Sequence, residues 1–151
     1  RNALEGSRDL YHASSSDGGK TFAAVQKLGS GTWLLDACPM DGGDMISSED
    51  GQVESVWRRQ EEIFVASAGK EERLGKGRNP VVTHGPAGRY VAWEDAESKQ
   101  VVLLSPGSSQ PVPLGSQGQF VDLSMSSAGK VVAAWEETRG QQKVIRVQVL
   151  N

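Results

Sequence analysis

Short apolar runs separated by glycine, serine and aspartate recur along the whole chain, and three of them end alike. Gly51-Gln52-Val53-Glu54-Ser55-Val56-Trp57, Gly88-Arg89-Tyr90-Val91-Ala92-Trp93 and Gly129-Lys130-Val131-Val132-Ala133-Ala134-Trp135 each start at glycine, carry β-branched residues and close on tryptophan. The tryptophans are 36 and 42 residues apart. A second landmark runs out of phase with the first: Leu28-Gly29, Leu74-Gly75 and Leu114-Gly115, spaced 46 and 40 residues. Two independent landmarks at about 40 residues define a structural repeat. With 18 glycines, six prolines and no sustained apolar stripe at i, i+3, i+4 and i+7, helices have no room, and the chain is expected to be all-β.

Four strands fit a 40-residue unit, which is the size of one β-propeller blade. Strands are expected at 10–14 and 23–28 in a partial first unit (8–29). The second unit (30–75) has them at 44–48, 53–57, 63–67 and 71–74. The third (76–115) has them at 80–84, 90–93, 101–105 and 112–114. The last, partial unit (116–151) has them at 120–125, 131–135 and 144–149.

Between the first two strands lies Ser15-Ser16-Asp17-Gly18-Gly19-Lys20-Thr21-Phe22, an S-x-D-x-G-x-T-aromatic pattern. The Asp carboxylate can accept bonds from turn N–H groups, the two glycines permit positive φ, and Thr21 and Phe22 start the outgoing strand with the ring turned inward. Asp-Gly-Gly between two strands is also an ordinary hairpin. The full pattern resembles the Asp box, repeated in sialidases and other BNR-type β-propellers. Ser15, Asp17, Gly19, Thr21 and Phe22 then form a structural device without chemistry of its own. Shorter remnants stand at Ser67-Ala68-Gly69-Lys70 and Ser105-Pro106-Gly107-Ser108. The resemblance implies a ring of six blades of which this chain holds about half, opening in mid-blade. It also implies a secreted or periplasmic, bacterial setting. Open blade faces and strand edges would then need a partner segment or a second copy, so the isolated chain is not expected to be a stable half-ring.

The chain has 151 residues, 37% hydrophobic and 23% charged, with a net charge of −3. That balance argues against a nucleic-acid binder or a disordered tail. No stretch approaches the ~20 apolar residues of a membrane-spanning helix. A leader or larger N-terminal region upstream of Arg1 stays open. One cysteine, Cys38, excludes an internal disulfide. G-x-S-x-G, phosphate-cradling loops, H-E-x-x-H and paired C-x-x-C are all missing, which disfavours serine hydrolase, nucleotide and zinc chemistry.

The residues after the three tryptophans put charge at strand ends: Arg58 and Arg59, Glu94 and Asp95, Glu136 and Glu137. In the sialidase-like reading these loops share the face that carries the site. Glycoside hydrolysis needs a carboxylic acid and a second group, and Glu94, Asp95, Glu136 and Glu137 are the candidates. The alternative is that charged hairpin tips are simply solvated. The family's arginine cluster pairs with a substrate carboxylate, its first member sitting in an Arg-x-Pro step; Arg78-Asn79-Pro80 has that form, with Gly77 where an aromatic residue is common. Arg58 and Arg59 are further candidates, or they brace the neighbouring blade through cation–π contact or ion pairing. The family's nucleophile is a tyrosine activated by glutamate, and neither Tyr11 nor Tyr90 fits it.

Asp36-Ala37-Cys38-Pro39-Met40-Asp41-Gly42-Gly43-Asp44 offers three aspartates to Ca²⁺, yet its spacing is not that of an EF-hand, and a tight turn with Cys38 packed as a small hydrophobe is preferred. No metal or cofactor is expected. Two functions remain: a sialidase-like glycoside hydrolase, or a portion of one, acting on a terminal acidic sugar; or a non-catalytic Asp-box propeller that binds a glycan or a protein. The tryptophans are expected to pack between blades in either case, because matching positions in every repeat serve packing better than a single ligand.

Overall fold

The computed structural model describes residues 6–38, 40–47, 51–67 and 69–150. Among them the chain is all-β, in several sheets none of which closes on itself. A two-stranded pair, β1 (Tyr11–His12) and β2 (Gln26–Lys27), comes first. An antiparallel meander follows, of β3 (Asp44–Ser47), β4 (Val53–Arg59), β5 (Glu62–Ser67) and the first half of β6 (Lys70–Gly85). The second half of β6 opens the next meander with β7 (Gly88–Asp95), β8 (Val101–Leu104) and β9 (Val112–Pro113). Last come β10 (Gly118–Met125), β11 (Val131–Arg139) and β12 (Gln142–Leu150). Each of these strands overlaps one expected from the repeat. The single difference in kind is β6, where two expected strands run together through 16 residues.

The sheets stack face to face, and burial shows it. Strand β7 is covered on both sides: Val91 and Trp93 join Val56, Ile63 and Val65 of the preceding meander, while Tyr90 and Ala92 join Val121, Leu123, Val131, Ala133 and Trp135 of the following sheet. A third apolar layer holds Trp57, Phe64 and Ala66 against Leu10 and Leu28. Trp57, Trp93 and Trp135 are 3%, 1% and 3% exposed, so all three are packing residues. In β11 alternate residues are buried and half-exposed, because only one face of that last sheet is covered, and most of β12, its edge strand, is exposed.

The two landmarks of the repeat meet in one contact. Leu28, Leu74 and Leu114 pack against the layers holding Trp57, Trp93 and Trp135 respectively. The glycine after each leucine lies against the same indole: a methyl on Gly29, Gly75 or Gly115 would stand 2.7, 2.9 or 3.2 Å from the Cζ2 atom of Trp57, Trp93 or Trp135. A Leu-Gly pair that ends one unit is thus the seat for the tryptophan of the next. That is why the landmarks recur with one period and different phase.

The hairpin at 15–22 forms as its pattern requires. Asp17 Oδ1 accepts from the amides of Lys20 and Thr21 at 3.0 and 2.9 Å, and Oδ2 accepts from Thr21 Oγ1 at 2.7 Å. Ser15 Oγ donates to Asp17 at 2.8 Å and accepts from the Gly19 amide at 2.9 Å. Gly18 and Gly19 have φ of 72° and 86°. These bonds hold the Asp17 carboxyl at about 2, the Thr21 hydroxyl first among the causes. The expected inward ring is corrected: Phe22 is 65% exposed, since the hairpin projects beyond the short β1–β2 pair. Cys38 is likewise exposed rather than packed. Pro39 and Ala68 lie outside the described residues.

Two predictions follow from these contacts. Gly75→Ala should destabilise the protein by about 1 to 3 kcal/mol through overpacking on Trp93, while Gly42→Ala, with open space around it, should be neutral in chemical denaturation. Asp17→Ala should lower the melting temperature at neutral pH. Because the folded-state carboxyl titrates below its ordinary value, Asp17's contribution is present above pH ~4 and disappears as pH falls toward 2; the variant and the parent should therefore converge in melting temperature on acidification.

Candidate functional site

At the strand ends that follow the tryptophans, the structure opens a cleft of about 860 Å³ between the two meanders and the last sheet. Arg58, Lys76, Arg78, Glu94, Asp95, Gln117, Gln119 and Thr138 line it. Backbone bulges follow directly on its lining residues Arg78 and Gln119. The pairing of β6 with β7 slips between Arg78 and Val81, and that of β10 with β11 slips between Gln119 and Asp122. Asn79 and Phe120 take positive φ there, 50° and 54°. Pro80 costs no ladder bond at such a position.

Glu94 ties the two bulges together. Its side chain is 6% exposed. Oε2 accepts from Arg78 Nε at 2.7 Å, and Oε1 accepts from Asn79 Nδ2 and the Phe120 amide, both at 2.8 Å. Three donors fill a carboxylate that sequence reasoning had offered as a catalytic acid, and they make it an organiser of the site. Asp95 is spent locally as well, capping its own turn through the amides of Glu97 and Ser98 and the Ser98 hydroxyl.

The carboxylates of the last sheet are paired with cations. Glu136 accepts from Lys143 Nζ and Gln119 Nε2, each at 2.7 Å, and Glu137 from Arg139 Nε at 2.7 Å. Lys143 beside Glu136 and Arg139 beside Glu137 hold both below the ordinary glutamate range. A general acid needs the opposite shift. Neither residue lines the cleft.

The three arginines divide. Arg59 braces the fold: its two terminal nitrogens grip Glu71 at 2.8 and 2.9 Å, and its guanidinium lies 3.8 Å from the Phe64 ring centre. Glu71 is held below its ordinary range by that hydrogen-bonded pair, and Arg59 is raised by it. Arg58 lines the cleft with its guanidinium 2.9 Å from buried Asp41 and 5.3 Å above Trp33. Arg78 differs from both. Its Nε is fixed by Glu94, its side chain is 59% exposed, and its terminal nitrogens make no hydrogen bond among the described residues.

Asp41 and Asp44 serve contacts within the protein: Asp44 accepts from the amides of Met45 and Val82 at 2.8 and 2.9 Å. Among the described residues no three metal-binding side chains gather. Tyr90 is buried between sheets and Tyr11 lies in β1, both apart from the cleft. Asn79, Gln119 and Lys76 were missed in sequence. Asn79 was in plain view inside Arg78-Asn79-Pro80, but its partner depends on a bulge no pattern announces.

Among the described residues no helix is long and apolar enough to cross a membrane. In comparisons with known proteins, the chain matches no family model, no curated protein and no solved structure.

Arg59→Ala should cost about 1 to 3 kcal/mol, the usual penalty for stripping a part-buried charged acceptor of its donors. Since Glu71 titrates low when folded, the loss should be largest at neutral pH and shrink as pH falls through the carboxylate range, measured as urea unfolding at pH 7 and pH 3.

Proposed function

We propose that the chain is part of an Asp-box β-propeller whose cleft binds an acidic sugar at the end of a glycan. The observation that carries this reading is Arg78: a guanidinium oriented through Nε by a buried carboxylate, with its outer fork turned to solvent above a cleft lined by further polar groups. A planar fork held in that way suits bidentate pairing with a ligand carboxylate. Gln117, Gln119, Thr138 and Lys76 supply donors and acceptors of the kind that sugar hydroxyls take. The Asp box, the repeat of about 40 residues and the face-to-face stacking support the propeller reading, with the four units as blades and further blades completing the ring. Secretion to the cell exterior or periplasm goes with it.

Binding is preferred to hydrolysis. Glu94 is filled by three donors, Asp95 caps its own turn, Glu136 and Glu137 are held low by cations, and neither tyrosine lines the cleft. A hydrolase would require those groups to come from another part of the ring.

N-acetylneuraminic acid, titrated by NMR into the chain, should bind in the millimolar to micromolar range, and Arg78→Ala should weaken it by roughly 10-fold or more, as loss of a charged hydrogen bond does. Arg59→Ala should bind as the parent does once its lower stability is allowed for. Equal affinity of the parent and Arg78→Ala would refute the clamp. Release of the sugar from a fluorogenic sialoside would replace the binding reading with the hydrolase one.

A further inference from the structure

The two bulges beside the cleft carry very different residues at one equivalent position. In each, two residues stand opposite the tryptophan of the neighbouring strand: Asn79 and Pro80 opposite Trp93, Phe120 and Val121 opposite Trp135. The first of each pair takes positive φ, 50° at Asn79 and 54° at Phe120. Asparagine enters that region readily, whereas a bulky aromatic residue there is an outlier. Packing does not account for the ring, since Phe120 is 64% exposed and belongs to none of the three apolar layers. Strained positions of this kind gather where ligands are held.

The ring stands at the border of the cleft. Arg78 and Gln119 line the cleft, and the residues that follow them, Asn79 and Phe120, line a second hollow of about 430 Å³. On both strands the wall of one space thus passes into the wall of the other within one residue. Glu94 fixes both sides of that border, one oxygen accepting from Arg78 Nε at 2.7 Å and the other from the Phe120 amide at 2.8 Å.

The chemistry of the hollow differs from that of the cleft. Pro80, Val81 and Val121 give it apolar walls, and neither Lys nor Arg lines it. Asp44 accepts amides on both of its oxygens, but Asp122 uses only Oδ1, for the Leu123 amide at 2.9 Å, and its Oδ2 takes no donor among the described residues. Two carboxylates without a cation repel a second acidic group. A neutral sugar suits the remaining features, because the negative face of an exposed ring takes weakly positive C–H groups and a free carboxylate oxygen accepts a hydroxyl.

We propose that Phe120 is the stacking platform for a neutral sugar joined to the acidic sugar on Arg78, so that the site selects a pair of sugars rather than a single one. The inference rests on the acidic-sugar reading of the cleft and adds to it the next unit of the glycan. The strain at Phe120 is then the cost of presenting an aromatic face beside the guanidinium.

The probes are N-acetylneuraminic acid, lactose and sialyllactose, in which the acidic sugar is joined to lactose, each titrated by NMR into the full chain. Sialyllactose should bind the parent roughly 10-fold more tightly than N-acetylneuraminic acid. Phe120→Asn, which installs the residue found at the equivalent bulge, should abolish that difference and leave the affinity for N-acetylneuraminic acid unchanged. It should also melt at or above the parent's temperature, because asparagine tolerates the backbone that phenylalanine strains against. Phe120→Tyr keeps the ring and should keep the difference. Equal affinity of the parent for sialyllactose and N-acetylneuraminic acid overturns the platform and leaves the Arg78 clamp standing. A preference that survives in Phe120→Asn, or a variant that melts below the parent, gives the ring another role and overturns it too. Lactose binding that Phe120→Asn abolishes, without any binding of N-acetylneuraminic acid, supports the platform and overturns the clamp. No binding of any of the three sugars overturns both.

Discussion

Every layer of this protein depends on an indole pressed against a glycine. The edges of Trp57, Trp93 and Trp135 reach the backbone only because Gly29, Gly75 and Gly115 carry no side chain, and the preceding leucines complete each seat. The contact joins the end of one unit to the middle strand of the next, so it fixes both spacing and order of the sheets. Tryptophan suits the task by combining large apolar area with a rigid ring. A tightly packed seat has little tolerance for added volume.

Polar bonds then set the sheets' relative slide, which apolar stacking alone leaves loose. Asp44 to the Val82 amide links β3 to β6 and Glu94 to the Phe120 amide links β7 to β10, both bonds joining successive units through buried or half-buried carboxylates. A buried acceptor left empty is expensive, so such links select one alignment. The same links shape the cleft. By consuming Glu94 they leave Arg78 fixed at Nε and outward-facing.

The last sheet shows what the repeat looks like with nothing stacked on its outer face among the described residues. Its residues follow the same inward and outward alternation, and its acidic groups sit at the same register positions, yet Ile145 and Val147 face water. An apolar face of this kind is the exception on a water-facing surface.

Much of the fold was legible in the sequence. Glycine-bounded β-branched runs placed the strands because strand formation is local, and the Asp17 hairpin closed as its pattern required because donors and acceptor lie within five residues. Phe22 and Cys38 went astray because their surroundings come from distant segments. The candidate site was legible only in part. That charge would gather after each tryptophan could be read from Arg58, Glu94 and Glu136, but not that Arg59 would turn to Glu71 while Arg78 stayed open, nor that Glu94 would be filled by Asn79 and Phe120. Those outcomes hang on bulges at Asn79 and Phe120 and on donors 12 to 26 residues away. Local sequence determined the strands, turns and repeat; tertiary stacking decided which charges were spent on the fold and which stayed open to solvent, because a carboxylate bonds whichever donors the packed sheets bring to it.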